Sequence, residues 1–210
     1  MTPRPTLVNP PQQQRSRDSL ERVLKAGLEV LQEDGFIGFT VQKVSKRAKV
    51  SIGSIYARLP NREALILAVY EWAMAWSVEP DQGFERAAVQ QYNSPRERIE
   101  TIVLEFALLN LSHTSEFRIF ARQAAVHDEI FARANVKTRE VRSRFIAALG
   151  SSRDDVRHDD PERALAFVFT MVFSSIMRRI SHGPEFDGST AISDSELAHE
   201  LAIAAADYLL

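Results

Sequence analysis

The stretch from Thr40 to Arg62 constrains the fold most strongly, because it has the pattern of two short helices joined by a tight turn. Val41, Val44 and Ala48 recur at helical spacing and predict one buried face. The Thr40 hydroxyl can accept a hydrogen bond from a backbone N–H of the first turn. The first of the two helices is therefore predicted to begin at this residue.

A second short helix follows a break in this pattern. Ser51 can cap its first turn, and Ile52 and Ile55, three residues apart, are predicted to point inward. The helix is predicted to end at Leu59, because a residue that precedes proline disfavours the α-helical conformation. Two short helices with a tight turn form a helix-turn-helix, which places its second helix in the major groove of DNA.

This part of the chain resembles the DNA-binding domain of the tetracycline-repressor-like (TetR) family of regulators, over about residues 17–70. Two residues depart from the usual family pattern: Lys49 stands where the family usually has glycine, and Leu59 where it usually has an aromatic residue. A residue other than glycine at positive φ costs about 1 kcal/mol, so the turn is either strained or has a different backbone. The matching positions are Gly35, Phe39, Thr40, Val44, Ala48, Val50, Ser51, Gly53, Tyr56 and residues 61–65.

The resemblance implies that separate groups of side chains contact DNA phosphates and DNA bases. Hydroxyls and cations hold phosphates, whereas contacts to base edges carry the sequence information. Two alternatives stay open: core packing for Tyr56, and a solvated helix face for each cation of the first helix taken singly. The residues implied to hold or approach phosphates are Thr40, Lys43, Lys46, Ser51, Tyr56 and Arg62, and those implied to face the groove are Ile52, Gly53, Ser54 and Ala57.

The net charge differs in sign between the two parts of the chain. Residues 1–62 contain 11 Lys and Arg against 5 Asp and Glu, whereas residues 63–210 contain 15 against 23. The net charge of −2 for the whole chain hides this difference. A basic N-terminal part on an acidic remainder is expected if only the first part meets double-stranded DNA.

Length and composition bound the class of protein. A chain of 210 residues suffices for one large or two modest domains, and the absence of cysteine excludes disulfides and thiolate metal sites. The longest strongly apolar run, residues 164–177, is too short to span a bilayer, and the N-terminus lacks an apolar signal core. We therefore expect a soluble cytoplasmic protein with no membrane segment.

Helical spacing and capping signals continue along the chain, and no segment predicts a strand, so the predicted fold class is all-α. The predicted domains are a flexible tail at 1–14, a three-helix DNA-binding domain at 15–62, and a helical ligand-binding and dimerisation domain at 63–210. The predicted helices outside the helix-turn-helix span about 16–34, 62–76, 94–113, from near 115, 128–149, 161–182 and from 193. Gly27 is predicted to lie at a tight helix crossing, and Ser94 and Ser193, each with Glu three residues later, are predicted helix caps. Loops are predicted at 80–92, which can include a short helix, and at 151–160.

The last two predicted helices differ from the others in composition. The helix from Pro161 to about His182 is apolar on almost every side, which predicts burial on all sides, in a central core or in a dimer. The final helix carries small residues, including Ala198, Ala202 and Ala205, which allow close helix approach. The resemblance implies a homodimer formed through these two helices.

The middle helices are rich in phenylalanine, and the resemblance implies that they enclose a site for a small apolar effector. An apolar cavity with a few polar groups is the usual small-molecule site. The alternative for each aromatic residue is ordinary core packing, which would leave the core filled. The candidate lining residues are Trp72, Trp76, Phe106, Asn110, His113, Phe120, Gln123, Phe131, Phe169 and Phe173.

The sequence contains no recognisable catalytic constellation. Its five histidines are scattered and form no pair at the spacing of zinc ligands, and it has neither a glycine-rich phosphate loop nor a nucleophile elbow. We expect no enzymatic activity, no cofactor and no bound metal.

The sequence is best interpreted as a ligand-responsive transcriptional regulator, a repressor released from a palindromic operator by a small apolar effector. One alternative is a non-inducible DNA-binding or scaffolding protein of the same fold with a filled core. A further alternative is a small helical enzyme or carrier that has acquired a helix-turn-helix.

Overall fold

The computed structural model describes residues 11–75, 83–124, 126–150, 152–186 and 192–210. Within these residues all regular structure is helical and no strand occurs, which confirms the predicted all-α fold. The α-helices are α1 (Pro11–Gly38), α2 (Val41–Ala48), α3 (Ile52–Tyr56), α4 (Arg62–Ala73), α5 (Gly83–Ala88), α6 (Pro95–Ser112), α7 (Thr114–Gln123), α8 (Asp128–Gly150), α9 (Pro161–His182) and α10 (Asp194–Leu209), with a 3-10 turn at Arg153–Asp155.

The chain forms two compact units, Met1–Ala73 and Met74–Leu210, which we call the head and the body. In the head, α1 packs against both α2 and α4, and α2 packs against α3. In the body, α6 packs against α5, α8, α9 and α10. The helix α4, which the sequence analysis assigned to the second domain, lies in the head.

The helix α1 is longer than predicted. It begins at Pro11, so residues 11–14 of the predicted tail are helical, and residues 1–10 lie outside the described residues. Gly35 interrupts it with φ 67° and ψ −178°. Glycine tolerates positive φ without a clash at Cβ, which explains why the regular helix stops at this residue and the chain turns toward α2.

Helices α1 and α4 approach each other most closely at Gly27. A Cβ added to Gly27 would lie 2.5 Å from Val69 Cγ2, closer than real carbon atoms approach. Val69 and Leu65, on the same face of α4, are fully buried. The absence of a side chain at Gly27 therefore lets the backbone of α1 approach α4 and close the core of the head, as the sequence predicts for this residue.

The core of the body is built around phenylalanine side chains. Phe106 and Phe145 are fully buried with ring centroids 4.6 Å apart, and Phe84 meets Phe106 edge-on at 5.3 Å. Phe169 stacks on Phe173 at 5.1 Å. The segment 80–92, predicted to be a loop that can include a short helix, thus contributes α5 and a core residue, Phe84.

The capping signals of the body are confirmed. Ser94 Oγ accepts a hydrogen bond from the N–H of Glu97 at the start of α6. Ser193 and Glu196 form a complete capping box at the start of α10, in which each side chain accepts from the other residue's backbone N–H. The Ser193 backbone N–H and the Ser193 hydroxyl both donate to the Glu196 carboxylate, and these two bonds lower its pKa. Short-range sequence signals therefore fixed these helix starts correctly.

The apolar helix α9 is not buried on all sides within one chain. Leu165, Val168 and Val172 lie in the core, but Phe167 remains 48% exposed on the opposite face. Among the described residues, α9 is the one helix that is long and apolar enough to cross a membrane. Length and composition alone support that possibility, and the central helix of a packed domain has the same properties.

We predict that Gly27→Ala destabilises the protein by about 1–3 kcal/mol, because the added methyl group has no space beside the branched Val69 side chain. Thermal unfolding followed by circular dichroism measures this effect.

Gly53→Ala is the matched control, since a Cβ at Gly53 would meet no atom within 4 Å. We expect this variant to unfold at the same temperature as the wild type or slightly higher, because alanine favours the helix. Equal melting temperatures for the two variants would show that the crossing of α1 and α4 at Gly27 can accommodate a methyl group.

Candidate nucleic-acid interface

The turn between α2 and α3 is closed by backbone and side-chain hydrogen bonds. Lys49 adopts the left-handed conformation, with φ 54° and ψ 43°, and its N–H donates to the carbonyl of Ser45. The N–H of Val50 donates to the same carbonyl at 3.2 Å, and Ser45 Oγ donates to the Val50 carbonyl at 2.7 Å. Lys49 is the one residue other than glycine at positive φ in the described part of the chain. Of the two explanations for this residue, the strained turn is therefore correct.

Thr40 and Ser51 act as the N-terminal caps of α2 and α3, as predicted. Thr40 Oγ1 accepts from the N–H of Lys43 at 3.3 Å, and Ser51 Oγ accepts from the N–H of Ser54 at 3.2 Å. Ser51 Oγ also lies 2.8 Å from Ser54 Oγ. These contacts hold the hydroxyls of both caps at the starts of the two helices, where backbone N–H groups favour an anion.

The outer face of α3 is formed by small and apolar side chains. Gly53, Ser54 and Ala57 are exposed, and Ile52 is 37% exposed. Helical spacing alone had predicted Ile52 to point inward, and this prediction was wrong: Ile55, 2% exposed, fills the core position. The helix α3 has only five residues, and Ile55 is the one that is buried. Ile52 therefore remains partly exposed at the start of the helix.

Tyr56 is 44% exposed, so the structure does not bury it in the core. It lies at the end of α3, one residue before the exposed Ala57. The exposed position keeps its hydroxyl available to a phosphate, and the role of Tyr56 in binding DNA remains a prediction.

The cations of α2 differ in their contacts. Lys43 Nζ donates to the Gly38 carbonyl at 3.0 Å and lies 3.2 Å from Asp34 Oδ2. The Arg47 guanidinium pairs with Glu33, and this hydrogen bond raises the pKa of Arg47. Lys46 is exposed on α2. Lys43 thus connects α2 to the end of α1, and a contact with DNA would compete with this ion pair.

Arg62 has a structural role that the sequence analysis did not predict. Its Nε donates to the Phe39 carbonyl at 3.0 Å, and one Nη donates to the Phe36 carbonyl. Its guanidinium also lies 5.7 Å from the centre of the Phe39 ring. The first residue of α4 is therefore bonded to the end of α1 and to the segment between α1 and α2, through backbone carbonyls that no sequence pattern identifies.

Two further exposed residues lie close in the sequence to the predicted set. Arg58 follows α3 and donates from Nη2 to Ser16 Oγ at 2.7 Å, which connects the end of α3 to α1. Gln42 is exposed in the first turn of α2, two residues after the Thr40 cap. Each is adjacent in the sequence to a residue predicted to contact DNA, Ala57 or Lys43, and a DNA contact for either remains a prediction.

The residues proposed to line an effector site are found in several different environments. Phe106, Phe120 and Phe169 are buried, and Phe173 is partly buried against Phe169. Asn110 is also buried, but its Nδ2 donates to the Phe106 carbonyl in its own helix at 2.8 Å. This bond satisfies an amide proton that a ligand could otherwise have accepted.

The other proposed lining residues are less enclosed. Phe131 is 54% exposed, and the residue before it, Ile130, takes the buried position of α8. His113 Nδ1 lies 3.0 Å from the Leu109 carbonyl, and Gln123 is partly buried in α7. Trp72 is a partly buried residue of α4, and Trp76 lies outside the described residues.

Two of the depressions in the described part of the chain are lined mostly by charged residues, and neither includes a predicted effector-site residue. One lies in the body between Thr114, Arg118, Arg179, Pro184 and Asp194. The other is an open groove in the head, which we call the basic groove, lined by Arg22, Lys25, Ala26, Glu29, Arg47, Ala48 and Lys49. Among the described residues no group of three or more acidic, histidine or cysteine side chains could hold a metal ion.

We predict that Arg62→Ala lowers the unfolding free energy by about 1–2 kcal/mol, since two charge-assisted hydrogen bonds are lost from a partly exposed guanidinium. Chemical denaturation measures this loss. Arg62→Lys keeps the charge but cannot reach both carbonyls in the same way, so it should recover only part of it.

If Arg62 instead served DNA phosphates alone, Arg62→Ala would leave stability unchanged. The variant would then reduce only the salt dependence of DNA binding, by about one phosphate contact.

Comparison with known proteins supports the interpretation of the head. Residues 23–69 match the family model described as bacterial regulatory proteins, tetR family. This segment contains the helix-turn-helix and most of α1 and α4. A comparison with curated proteins gives no significant match.

Solved structures share the fold over nearly the whole chain. A candidate TetR-family transcriptional regulator from Mesorhizobium loti has a TM-score of 0.71 and 14% identity, covering 92% of this chain and 95% of its own. A TetR transcription regulator from Haloarcula marismortui has a TM-score of 0.66 and 16% identity, with coverage of 92% and 97%. A candidate TetR-family regulator from Rhodococcus sp. has a TM-score of 0.65 and 17% identity, with coverage of 91% and 98%. Residues 23–69 are thus similar to the tetR family of bacterial regulatory proteins, and the chain shares its fold with these solved structures along nearly its whole length.

Proposed function

We propose that this protein is a homodimeric repressor that leaves a near-palindromic operator when a small apolar molecule binds to its body. The observation that carries the proposal is the apolar surface on α9 and α10. Phe167, Ile203 and Tyr208 are 48%, 44% and 39% exposed, although they lie on the two helices that form much of the body's core. Large exposed apolar side chains on adjacent helices mark an interaction surface.

The geometry of this surface favours pairing with a second copy of the chain. The rings of Phe167 on α9 and Tyr208 on α10 lie 5.0 Å apart, so the two helices present one continuous apolar area. Ala204, beside Ile203, is exposed and small, which allows another helix to approach closely. A two-fold pair of heads reads two-fold DNA, so a dimer of this kind predicts an operator with two related half-sites.

The aromatic core of the body supports an apolar effector as the inducing molecule. Phe106, Phe145 and Phe169 form a connected cluster of rings with few polar neighbours. Rearrangement of such rings would open space for a ligand without exposing unsatisfied polar groups. The effector would shift the population between two states of the body, with a coupling free energy of about 1–3 kcal/mol.

The head would respond as one piece to such a shift. The α1–α4 crossing at Gly27 and the Arg62 hydrogen bonds join α4 to α1 and to the segment before α2. The chain enters the body directly after α4. A displacement of α4 is therefore expected to move the reading helix with it and to change the separation of the two heads, which would weaken their grip on DNA.

The same aromatic cluster supports a second candidate function, that of a DNA-binding protein without an effector. The close ring contacts and the internal hydrogen bond of Asn110 are also what a permanently filled core requires. In this case the protein would bind its operator constitutively, and no small molecule would raise its melting temperature.

We predict that Ile203→Glu converts the protein to a monomer and weakens operator binding at least tenfold, because a buried carboxylate at the interface is costly and a single head makes half the contacts. Light scattering after size-exclusion chromatography measures the mass. Gel shifts on fragments selected from genomic DNA measure the binding.

Val136→Glu is the matched control. Val136 is 48% exposed on α8, which is not one of the two helices of the proposed interface, so this variant should keep the mass and affinity of the wild type. A wild-type protein that is monomeric at every concentration, or that selects no fragment, would refute the proposal.

A screen of apolar compounds distinguishes the two candidate functions. We expect an effector to raise the melting temperature of the protein by mass action and, in the same concentration range, to release it from the selected fragment. A protein that no apolar compound stabilises, but that still selects operator DNA, is the non-inducible regulator.

A further inference from the structure

The basic groove of the head has no role in the proposed function. Its lining contains four cationic side chains, from Arg22, Lys25, Arg47 and Lys49, and one carboxylate, from Glu29. The groove is open and has a volume of about 520 Å³. It lies between α1 and the end of α2, whereas the reading surface is on α3.

The strongest observation concerns Lys49, whose backbone occupies the left-handed region at φ 54°. Glycine occupies this region without strain, and a lysine there lowers stability relative to glycine. The hydrogen bonds of the turn come from the Lys49 backbone and from Ser45, so they make no use of the lysine side chain. A strained residue whose side chain has no role in the local structure indicates selection for what that side chain does elsewhere.

The groove also has the charge and the position to meet a polyanion. Arg47 is balanced by Glu33 and, at 3.9 Å, by Glu29, so the positive charge that remains comes mainly from Arg22, Lys25 and Lys49, all exposed. Lys49 lies two residues before Ser51, the cap of α3. The backbone positions of these two residues are therefore within about 7 Å of each other, and the groove adjoins the start of the reading helix.

We propose that the basic groove is a second phosphate-binding surface, which holds the DNA backbone beside the segment that α3 reads. This inference rests on the proposed DNA-binding function and adds to it a set of contacts outside the helix-turn-helix face. Lys49 and Lys25 would bind phosphates as point charges, so the groove would add affinity and salt dependence without base preference. Glu29 and Glu33 would hold Arg47 in place and limit the total charge.

The test compares stability and DNA binding in the same variants of the full-length protein. The probe is a fluorescein-labelled random-sequence duplex of about 30 base pairs, titrated at salt concentrations from about 50 to 200 mM. Lys49→Gly should raise the melting temperature by a few degrees, because the strain is removed. It should also weaken DNA binding and reduce the slope of log affinity against log salt by about 0.9, the value of one phosphate contact.

This slope has a direct consequence for the measured dissociation constants. The deficit of Lys49→Gly relative to the wild type should be about threefold larger at 50 mM than at 200 mM salt. Lys49→Asn also removes the charge, and asparagine tolerates the left-handed conformation of the turn. If both variants lose the same amount of DNA affinity, a loosened turn is not the cause of the weaker binding. Lys25→Ala should reproduce the change in slope without the rise in melting temperature.

The control is Lys137→Ala, which removes the same charge from α8 in the body and should leave the slope unchanged. If Lys49→Gly and Lys49→Asn bind the duplex with the wild-type slope, the inference is wrong, and the cations serve only the negative end of the α2 helix dipole. A wild-type protein that does not bind the duplex even at 50 mM salt would overturn the proposed function itself, a different result from the first.

Discussion

The turn at Lys49 is the constraint on which the proposed DNA-reading surface depends. Its left-handed backbone, held by the Val50 N–H and by both polar groups of Ser45, sets the direction in which α3 leaves α2. A short helix enters the major groove only at a suitable angle, so every contact between α3 and DNA would depend on the geometry of this turn. The conformation is costly for lysine, and the head must be packed well enough to impose it.

That packing comes from contacts distant from the turn in the sequence. Gly27 permits α1 and α4 to approach closely, and Arg62 ties the start of α4 to the carbonyls of Phe36 and Phe39. The Arg58 bond to Ser16 adds a further connection between α3 and α1. The helices of the head are thus held together by a few hydrogen bonds around an apolar core. These contacts also hold α3 in its position.

Local signals in the sequence predicted local structure well. The caps at Thr40 and Ser51 were predicted from a hydroxyl residue before an apolar repeat, and those at Ser94 and Ser193 from a serine with glutamate three residues later. These predictions succeeded because such bonds span only three residues. The tight crossing at Gly27 was also correctly predicted.

Features that depend on tertiary contacts were missed. Phe84 joins the core from a segment predicted to be mainly loop, and Arg62 binds backbone carbonyls more than twenty positions away. Helical spacing predicted both Ile52 and Ile55 to point inward, but Ile55 alone is buried, and on α8 Ile130 is buried while Phe131 is exposed. Periodicity defines a stripe, but only the neighbouring helices decide which edge of that stripe is covered.

The shortness of α3 limits how its proposed DNA preference could be transferred to another protein. A helix of five residues is far below the length at which an isolated peptide holds its shape in water. Ile52, Gly53, Ser54 and Ala57 therefore keep a defined arrangement on the outer face of α3 only in the folded head. A peptide that contains α3 alone would not hold these residues in the same arrangement. A chimaera designed to bind the same DNA would therefore need the whole head.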